Sequence, residues 1–275
     1  MDKQFENYTD LTIFFDESGK TKTDKIQLMG GLSLPSRIYF SNQFLSLHRL
    51  NESYRYHWSE YKGDYKQREG ILLLFDIASS LAPFGQLNII RYSRQNLIIQ
   101  EKKFSTFDPD KKGNEIMTNM LCTKLPERIM YGLLRGYDPS SPIRSTLYIE
   151  HANEYVSLNL AESMKLQLNI HALYRGEPFY VHECGYRKKG EEIGVELTDI
   201  LLGIVRTILE NPDCESRKKR EQVKLIVELL RTEKLQPFLN RLRLFELMSS
   251  SDLREIDIKA SVKMFIVKNY EIYFD

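Results

Sequence analysis

Apolar positions along the chain fall first into short runs that predict β-strands. Runs of bulky, uncharged residues bounded by turn-forming residues are typical of strands. Such runs occur at residues 11–16, 25–34, 86–92, 144–150 and 178–183. The first two are separated by a polar stretch around Ser18 and Gly19, which predicts a hairpin-like pair.

Longer segments repeat their apolar residues at helical spacing, which predicts helices with a buried face. These segments lie at 36–52, 64–81, 114–135, 154–172 and 191–210, with one or two further helices within 214–248. The charged residues 101–114 are predicted to form an exposed loop. Residues 262–274 fit a strand or a helix.

This order of elements predicts the fold class and the domain organisation. Early strands followed by strand–helix alternation indicate an α/β fold with a mixed sheet flanked by helices. We predict one such domain over residues 8–212, with a helical insertion near 36–82. Residues 213–275 are predicted to form a mainly helical C-terminal extension packed on that domain.

Two of the predicted strands have a carboxylate at their carboxyl end. The run Leu11–Phe15 lacks the alternation of a half-exposed strand, so we expect it to be covered on both faces, and Asp16 comes next. The strand at 144–150 ends in Glu150. In open α/β sheets ligands bind beyond the carboxyl ends of the strands. If these two strands are parallel and adjacent, both carboxylates lie at one edge of the sheet.

The predicted helix at 191–210 carries a third acidic group. Apolar residues cover most of its circumference, so we expect it to be largely buried. Its exceptions Glu192, Glu196 and Asp199 share a stripe with Gly203, which leaves room for close approach by a backbone or a ligand. Glu192 is explained by the helix dipole. Asp199 lies two turns in, where an unpaired carboxylate is costly, so a metal, arginine or lysine is expected beside it.

These acids have two chemical interpretations. Asp16, Glu150 and Asp199, with Glu17 or Glu196, would make an oxygen-rich cluster that suits Mg²⁺ or Mn²⁺ rather than zinc. Paired divalent ions in such a cluster support phosphodiester hydrolysis. Buried acids also occur in structural ion-pair networks, and spacing alone leaves both interpretations open. The histidines and cysteines lack zinc-site spacing, and no nucleotide-binding glycine motif occurs.

Composition and charge limit the partners and the cellular compartment that we expect for the protein. The 275 residues are 42% hydrophobic, which supports a sizeable core, and a net charge of +1 gives no global attraction for nucleic acid. The basic runs at 187–189 and 217–220 are, taken alone, typical of solvated surfaces. Three widely spaced cysteines fit a reducing compartment, and no signal peptide or membrane span is predicted, so we expect a soluble cytoplasmic protein.

Two segments resemble a known family. FFDESG at 14–19 and LTDILLG at 197–203 are similar to the opening strand and the late helix of an uncharacterised bacterial and phage family, domain of unknown function 3800. The resemblance spans about residues 10–210 and implies a ribonuclease H-like fold with a metal-dependent nuclease-type centre. It matches Asp16, Glu17 and Asp199 to the family's acids, and it gives Glu150 the acid at the end of the fourth strand.

A third segment of the resemblance and the basic loop add substrate contacts. RYHWSEYKG at 55–63 resembles a family segment with a charged residue before Trp, which makes His57 a candidate site residue. Ser18, which follows the acids of FFDESG, is a further candidate. The lysines Lys188 and Lys189 are also candidates, because their loop directly precedes the acidic helix.

The sequence and the resemblance together predict a nuclease or related phosphodiester hydrolase that uses Mg²⁺ or Mn²⁺. The predicted catalytic residues are Asp16, Glu17, Glu150 and Asp199, and the predicted metal ligands are Asp16, Glu150, Asp199 and Glu196. Nucleic acid is the expected partner, a protein partner or homo-oligomer is compatible, and the resemblance suggests defence against mobile DNA. The alternative is a non-catalytic module that keeps the fold and binds nucleic acid or protein.

Overall fold

The chain folds around one mixed β-sheet with helices on both faces, described by a computed structural model for residues 8–19, 24–107, 113–137, 141–248 and 252–274. The sheet strands are β1 (Thr9–Ser18), β2 (Gln27–Pro35), β3 (Gln86–Tyr92), β4 (Ile143–Glu150), β5 (Phe179–Arg187), β6 (Leu242–Leu247) and β7 (Leu253–Ile256). Their order is β5-β4-β1-β2-β3-β6-β7. Pairs β1–β2, β2–β3 and β6–β7 are antiparallel, and the other three are parallel. The predicted α/β class is confirmed.

Helices fill most of the chain between the strands. They are α1 (Ser36–Tyr39), α2 (Leu45–Ser53), α3 (Tyr65–Ala78), α4 (Arg94–Ser105), α5 (Gly113–Leu134), α6 (Asn153–Ser157), α7 (Leu160–Arg175), α8 (Ile193–Glu210), α9 (Arg217–Arg231), α10 (Gln236–Leu239), α11 (Ile258–Lys268) and α12 (Tyr270–Phe274). Within the described part of the chain, no helix has the length and hydropathy needed to cross a membrane.

The first strand lies between two hydrophobic cores. Leu11, Ile13 and Phe15 belong to a core that α5 and α7 cover, whereas Phe14 belongs to the core beneath α8. Both sets are fully buried because successive side chains of a strand point to opposite faces of the sheet. The prediction that Leu11–Phe15 is covered on both faces is therefore confirmed.

Several predicted helices differ from the structure in continuity. The predicted helix 36–52 is two helices, α1 and α2, because the chain turns extended at Ser41. The predicted helix 154–172 is broken into α6 and α7 at Asn159, which adopts a left-handed backbone with φ 48°. The predicted loop 101–114 is wrong at its start, since residues 101–105 finish α4. Its residues 108–112 lie outside the described part.

The C-terminal segment extends the sheet as well as adding helices. Helices α9 and α10 lie within 214–248 as predicted, but the end of this range is strand β6, which pairs in parallel with β3 and carries β7 at the far edge. The leucine-rich composition of Leu242–Leu247 resembles a helix, but a partner strand decides its conformation. Arg243 of β6 and Glu255 of β7 form two hydrogen bonds of 3.0 and 3.1 Å across the pair.

Candidate active site

Two carboxylates stand side by side at the ends of neighbouring strands. β1 and β4 are parallel, and their register pairs Phe15 with Ile149, so Asp16 and Glu150 come next on each strand. The expectation that the two strands are parallel and adjacent is confirmed. Both carboxylates are buried, with 2% and 6% of their surfaces exposed.

Strand alternation also sets the direction of these two side chains. Phe14 and Tyr148, two residues earlier on each strand, pack in or against the core beneath α8. Asp16 and Glu150 therefore project to the same face of the sheet.

The third carboxylate comes from α8, which packs across β1, β2 and β4. Glu192 caps this helix, accepting a 3.2 Å hydrogen bond from the Gly194 N–H, so its role at the N-terminus is structural as predicted. Asp199, two turns into the helix, is only 6% exposed. Helix α8 therefore places Asp199 over the end of the sheet.

The three acids line one cavity of about 610 Å³. Among the predicted site residues, those that line it are Asp16, Glu17, Ser18, His57, Glu150, Lys189 and Asp199. Glu196 and Lys188 are not in this lining. Seven of the predicted positions, from different parts of the chain, therefore line one cavity.

Asp199 is held by the segment between α2 and α3. Its Oδ2 lies 2.7 Å from His57 Nδ1 and accepts a 3.2 Å hydrogen bond from the Trp58 N–H. Gln222 of α9 donates to the Trp58 carbonyl at 3.0 Å. Helix α9 therefore helps to fix the segment that holds Asp199.

Lys189 connects two of the acids. Its Nζ lies 3.4 Å from Glu150 Oε1 and 2.9 Å from His57 Nε2. A contact of 2.6 Å to His57 Nδ1 is also present, but a ring nitrogen carries either one hydrogen or one lone pair. We assign the Nδ1 hydrogen to the bond with Asp199, which leaves the Nε2 lone pair facing two donors, Lys189 Nζ and Ser59 Oγ at 2.8 Å. The Lys189 ammonium thus lies between Glu150 and the His57–Asp199 pair.

Glu196 lies behind the cavity, one turn before Asp199. Its Oε1 accepts a 2.6 Å hydrogen bond from the N–H of Gly190, a residue with φ 84°. Burial raises the pKa of Glu196 to about 7, and the charges of Asp199 and Glu150 act in the same direction against the opposing Gly190 hydrogen bond. The charge of Lys189 acts in the opposite direction, and the environment as a whole brings the pKa of Glu196 close to neutral pH.

Gly203 has a packing role that the sequence did not specify. A Cβ there would stand 2.1 Å from Trp58 Cδ1 and Cγ, so the glycine admits the indole against α8. Trp58 Nε1 donates to Thr207 Oγ1 at 3.3 Å. The close approach expected along the acidic stripe is thus made by a side chain of the protein itself.

Two basic residues of the cavity were not predicted. Arg206 follows the acidic stripe on α8, and Lys218 lies in the first turn of α9. The run 217–220 is visible in the sequence, but its composition alone is equally typical of solvent-exposed helix. Its position becomes apparent only when α9 packs on α8.

The donor chemistry fits a hard divalent cation, but the present arrangement is not a ready ligand set. Carboxylate oxygens are the ligands that Mg²⁺ and Mn²⁺ prefer. Across the residues that the structure describes, no three His, Cys, Asp or Glu side chains stand as a group that could hold a metal ion. His57 and the Trp58 N–H engage Asp199, and Lys189 engages Glu150. Metal binding would require Lys189 and the carboxylates to rearrange.

Comparison of the chain with protein-family models, with curated proteins and with solved structures finds no match. The resemblance to domain of unknown function 3800 therefore depends on the quoted motifs alone.

Proposed function

We propose that the protein is a Mg²⁺- or Mn²⁺-dependent nuclease or related phosphodiester hydrolase. One observation carries the proposal: Asp16, Glu150 and Asp199, from two parallel strands and the helix across them, line a single cavity. Structural ion pairs need no cavity of about 610 Å³ beside them, whereas a substrate does.

We also propose that the sheet belongs to the ribonuclease H-like class implied by the motif resemblance. An antiparallel β1–β2–β3 unit continued on the other side by parallel β4 and β5 is compatible with that class. The β6–β7 pair would then be an addition of the C-terminal extension. Fold class alone would not establish activity.

The residues take distinct roles in this proposal. Asp16, Glu150 and Asp199 hold the cation, and Glu196 supports them from behind the cavity. A bound divalent ion would supply water activation and charge stabilisation at the phosphodiester. His57 orients Asp199 through the 2.7 Å contact. Lys189 neutralises Glu150 in the metal-free state and is free to turn toward a substrate phosphate when a metal replaces it.

Glu17 and Ser18 follow Asp16 at the end of β1 and line the same cavity, where they would contact the substrate. Lys188 is exposed outside the cavity lining and would contribute only long-range attraction. Nucleic acid as substrate, a role in defence against mobile DNA, and a cytoplasmic location belong to the same proposal.

A cleavage assay tests the proposal. Wild-type protein is incubated with single- and double-stranded DNA and RNA in Mg²⁺, Mn²⁺ or EDTA, beside Asp16→Asn and Asp199→Asn. Asp76→Asn on the exposed face of α3 serves as the matched control, since its surface ion pair with Lys234 contributes little. We expect metal-dependent cleavage by the wild type and the control only. Equal cleavage by all four proteins would remove the proposed centre.

The second candidate is a non-catalytic nucleic-acid or protein-binding module. The bridge from Glu150 through Lys189 to His57 favours it, because the acids already have a positive partner. In that case calorimetry would show no Mn²⁺ binding by the folded wild-type protein, while oligonucleotide or protein binding would persist in EDTA.

A further inference from the structure

Basic as well as acidic side chains line the cavity. Arg206 of α8 and Lys218 of α9 line it together with Asp16, Glu150 and Asp199. The acids stand at the sheet edge, whereas the two cations come from the later part of α8 and from the C-terminal extension. A ligand that fills this cavity meets both charge types.

Positive charges outnumber negative charges around Lys218. Lys219 and Lys62 also stand near Lys218, and the nearby carboxylates are those of Asp24 and Glu210. Glu210 accepts from Lys219 at 2.8 Å. Within the described part of the chain, Lys218 has no carboxylate at ion-pair distance. The local excess of cations favours an anion.

The two lining cations are held in place without being fully engaged. Arg206 Nη1 is 3.6 Å from Asp24 Oδ1, and its buried Nε lies 3.8 Å from Glu210 Oε1 without a hydrogen-bond partner in the described structure. Burial, followed by the charges of Lys219, Arg206 and Lys62, lowers the pKa of Lys218. An anion placed between Arg206 and Lys218 would relieve this repulsion.

We propose that Arg206 and Lys218 form a subsite for a backbone phosphate of a nucleic-acid strand, next to the phosphodiester that faces the carboxylates. The substrate class rests on the proposed function. Among the described lining residues there is no Phe, Tyr or Trp on which a base could stack. Recognition at this subsite therefore goes through phosphate and is independent of base sequence.

Binding measured without metal tests this subsite separately from catalysis. Fluorescence anisotropy is followed in EDTA with labelled single-stranded DNA, single-stranded RNA and duplex DNA, each in two unrelated sequences, over a series of salt concentrations. Lys218→Ala and the charge reversal Lys218→Glu are compared with Lys224→Ala. Lys224 lies on the same helix, half-exposed and paired with Glu221 at 3.3 Å, and does not line the cavity.

We expect Lys218→Ala to weaken binding roughly tenfold for both sequences of a given probe, with a larger loss for Lys218→Glu and no change for Lys224→Ala. The slope of log affinity against log salt should fall by about 0.7 on a single strand, which corresponds to one phosphate contact. Thermal melts should show Lys218→Ala folded with an unchanged or higher Tm, because a repelled cation has been removed.

Two outcomes would overturn the subsite: Lys218 variants that bind like Lys224→Ala, or wild-type protein that binds none of the probes at low salt. Failure of the subsite and failure of the proposed function are distinguishable. Cleavage lost in Asp16→Asn with unaffected Lys218 variants refutes only the subsite. Lys218-dependent binding without any metal-dependent cleavage refutes only the catalytic proposal.

Discussion

Lys189→Met tests whether the acids of the cavity can hold a divalent cation. The substitution keeps an unbranched apolar side chain, one atom shorter than lysine, and removes its charge. In the metal-free structure the ammonium lies 3.4 Å from Glu150 Oε1 and 2.9 Å from His57 Nε2. A cation that binds at Glu150 must displace this ammonium or accept its repulsion, so the lysine opposes metal binding.

The size of this effect follows from the distance and the exposure of the pair. Two unit charges 3.4 Å apart interact by about 1 kcal/mol in bulk water and by about 5 kcal/mol at an effective dielectric constant of 20. The Lys189 side chain is 46% exposed, so solvent screening places the energy near the lower limit. We take about 1–2 kcal/mol, which corresponds to a roughly 5- to 30-fold tighter dissociation constant.

Isothermal calorimetry with Mn²⁺ on the wild type, Lys189→Met and Lys188→Met measures the difference. Lys188 carries the same charge one residue away but is exposed and outside the cavity lining, so it serves as the matched control. We expect tighter Mn²⁺ binding in Lys189→Met and an unchanged value in Lys188→Met. Equal affinities in all three proteins, or weaker binding in Lys189→Met, would refute the reasoning.

Two further variants test the surroundings of the cavity. Gly203→Ala puts a Cβ 2.1 Å from the Trp58 ring, so we expect urea unfolding to show that the free energy of unfolding falls by about 1–4 kcal/mol. The control is Gly132→Ala, whose Cβ meets only an Asn88 amide at 3.0 Å, and its free energy of unfolding should stay within about 1 kcal/mol of the wild type. Equal losses in the two variants would contradict the packing argument. Glu196 has a folded-state pKa of about 7, above its unfolded value, so its stabilising contribution is complete below the unfolded pKa and is lost as pH rises to about 7. In EDTA, Glu196→Gln should therefore lose less stability than the wild type between pH 5 and pH 8, by up to about 3 kcal/mol, and parallel pH profiles would count against this assignment.

The sequence predicted residue positions best where the regular geometry of a single strand or helix allows only one arrangement. An apolar run without alternation had to be covered on both faces, which located Asp16 at the end of a central strand. The same reasoning applied to Glu150, and the helical period grouped Glu196, Asp199 and Gly203 on one stripe. Each of these positions depends only on the regular geometry of its own element.

Long-range packing decided what the sequence could not predict. Lys189 and His57 are 132 residues apart, and no local pattern indicates that they meet. The strand β6 forms beside β3 although its composition resembles a helix, and Lys218 reaches the cavity only because α9 packs on α8. In each case the partner element, rather than the segment's own pattern, determines the outcome.

Anomalous diffraction from crystals soaked in Mn²⁺ tests the central claim most directly, because it shows where a divalent ion binds. The account predicts a peak in the cavity, about 2 Å from carboxylate oxygens of both Asp16 and Asp199, with Lys189 turned away from Glu150. A cavity that shows no Mn²⁺ peak at saturating metal, with Lys189 still joined to Glu150 and His57, would contradict it.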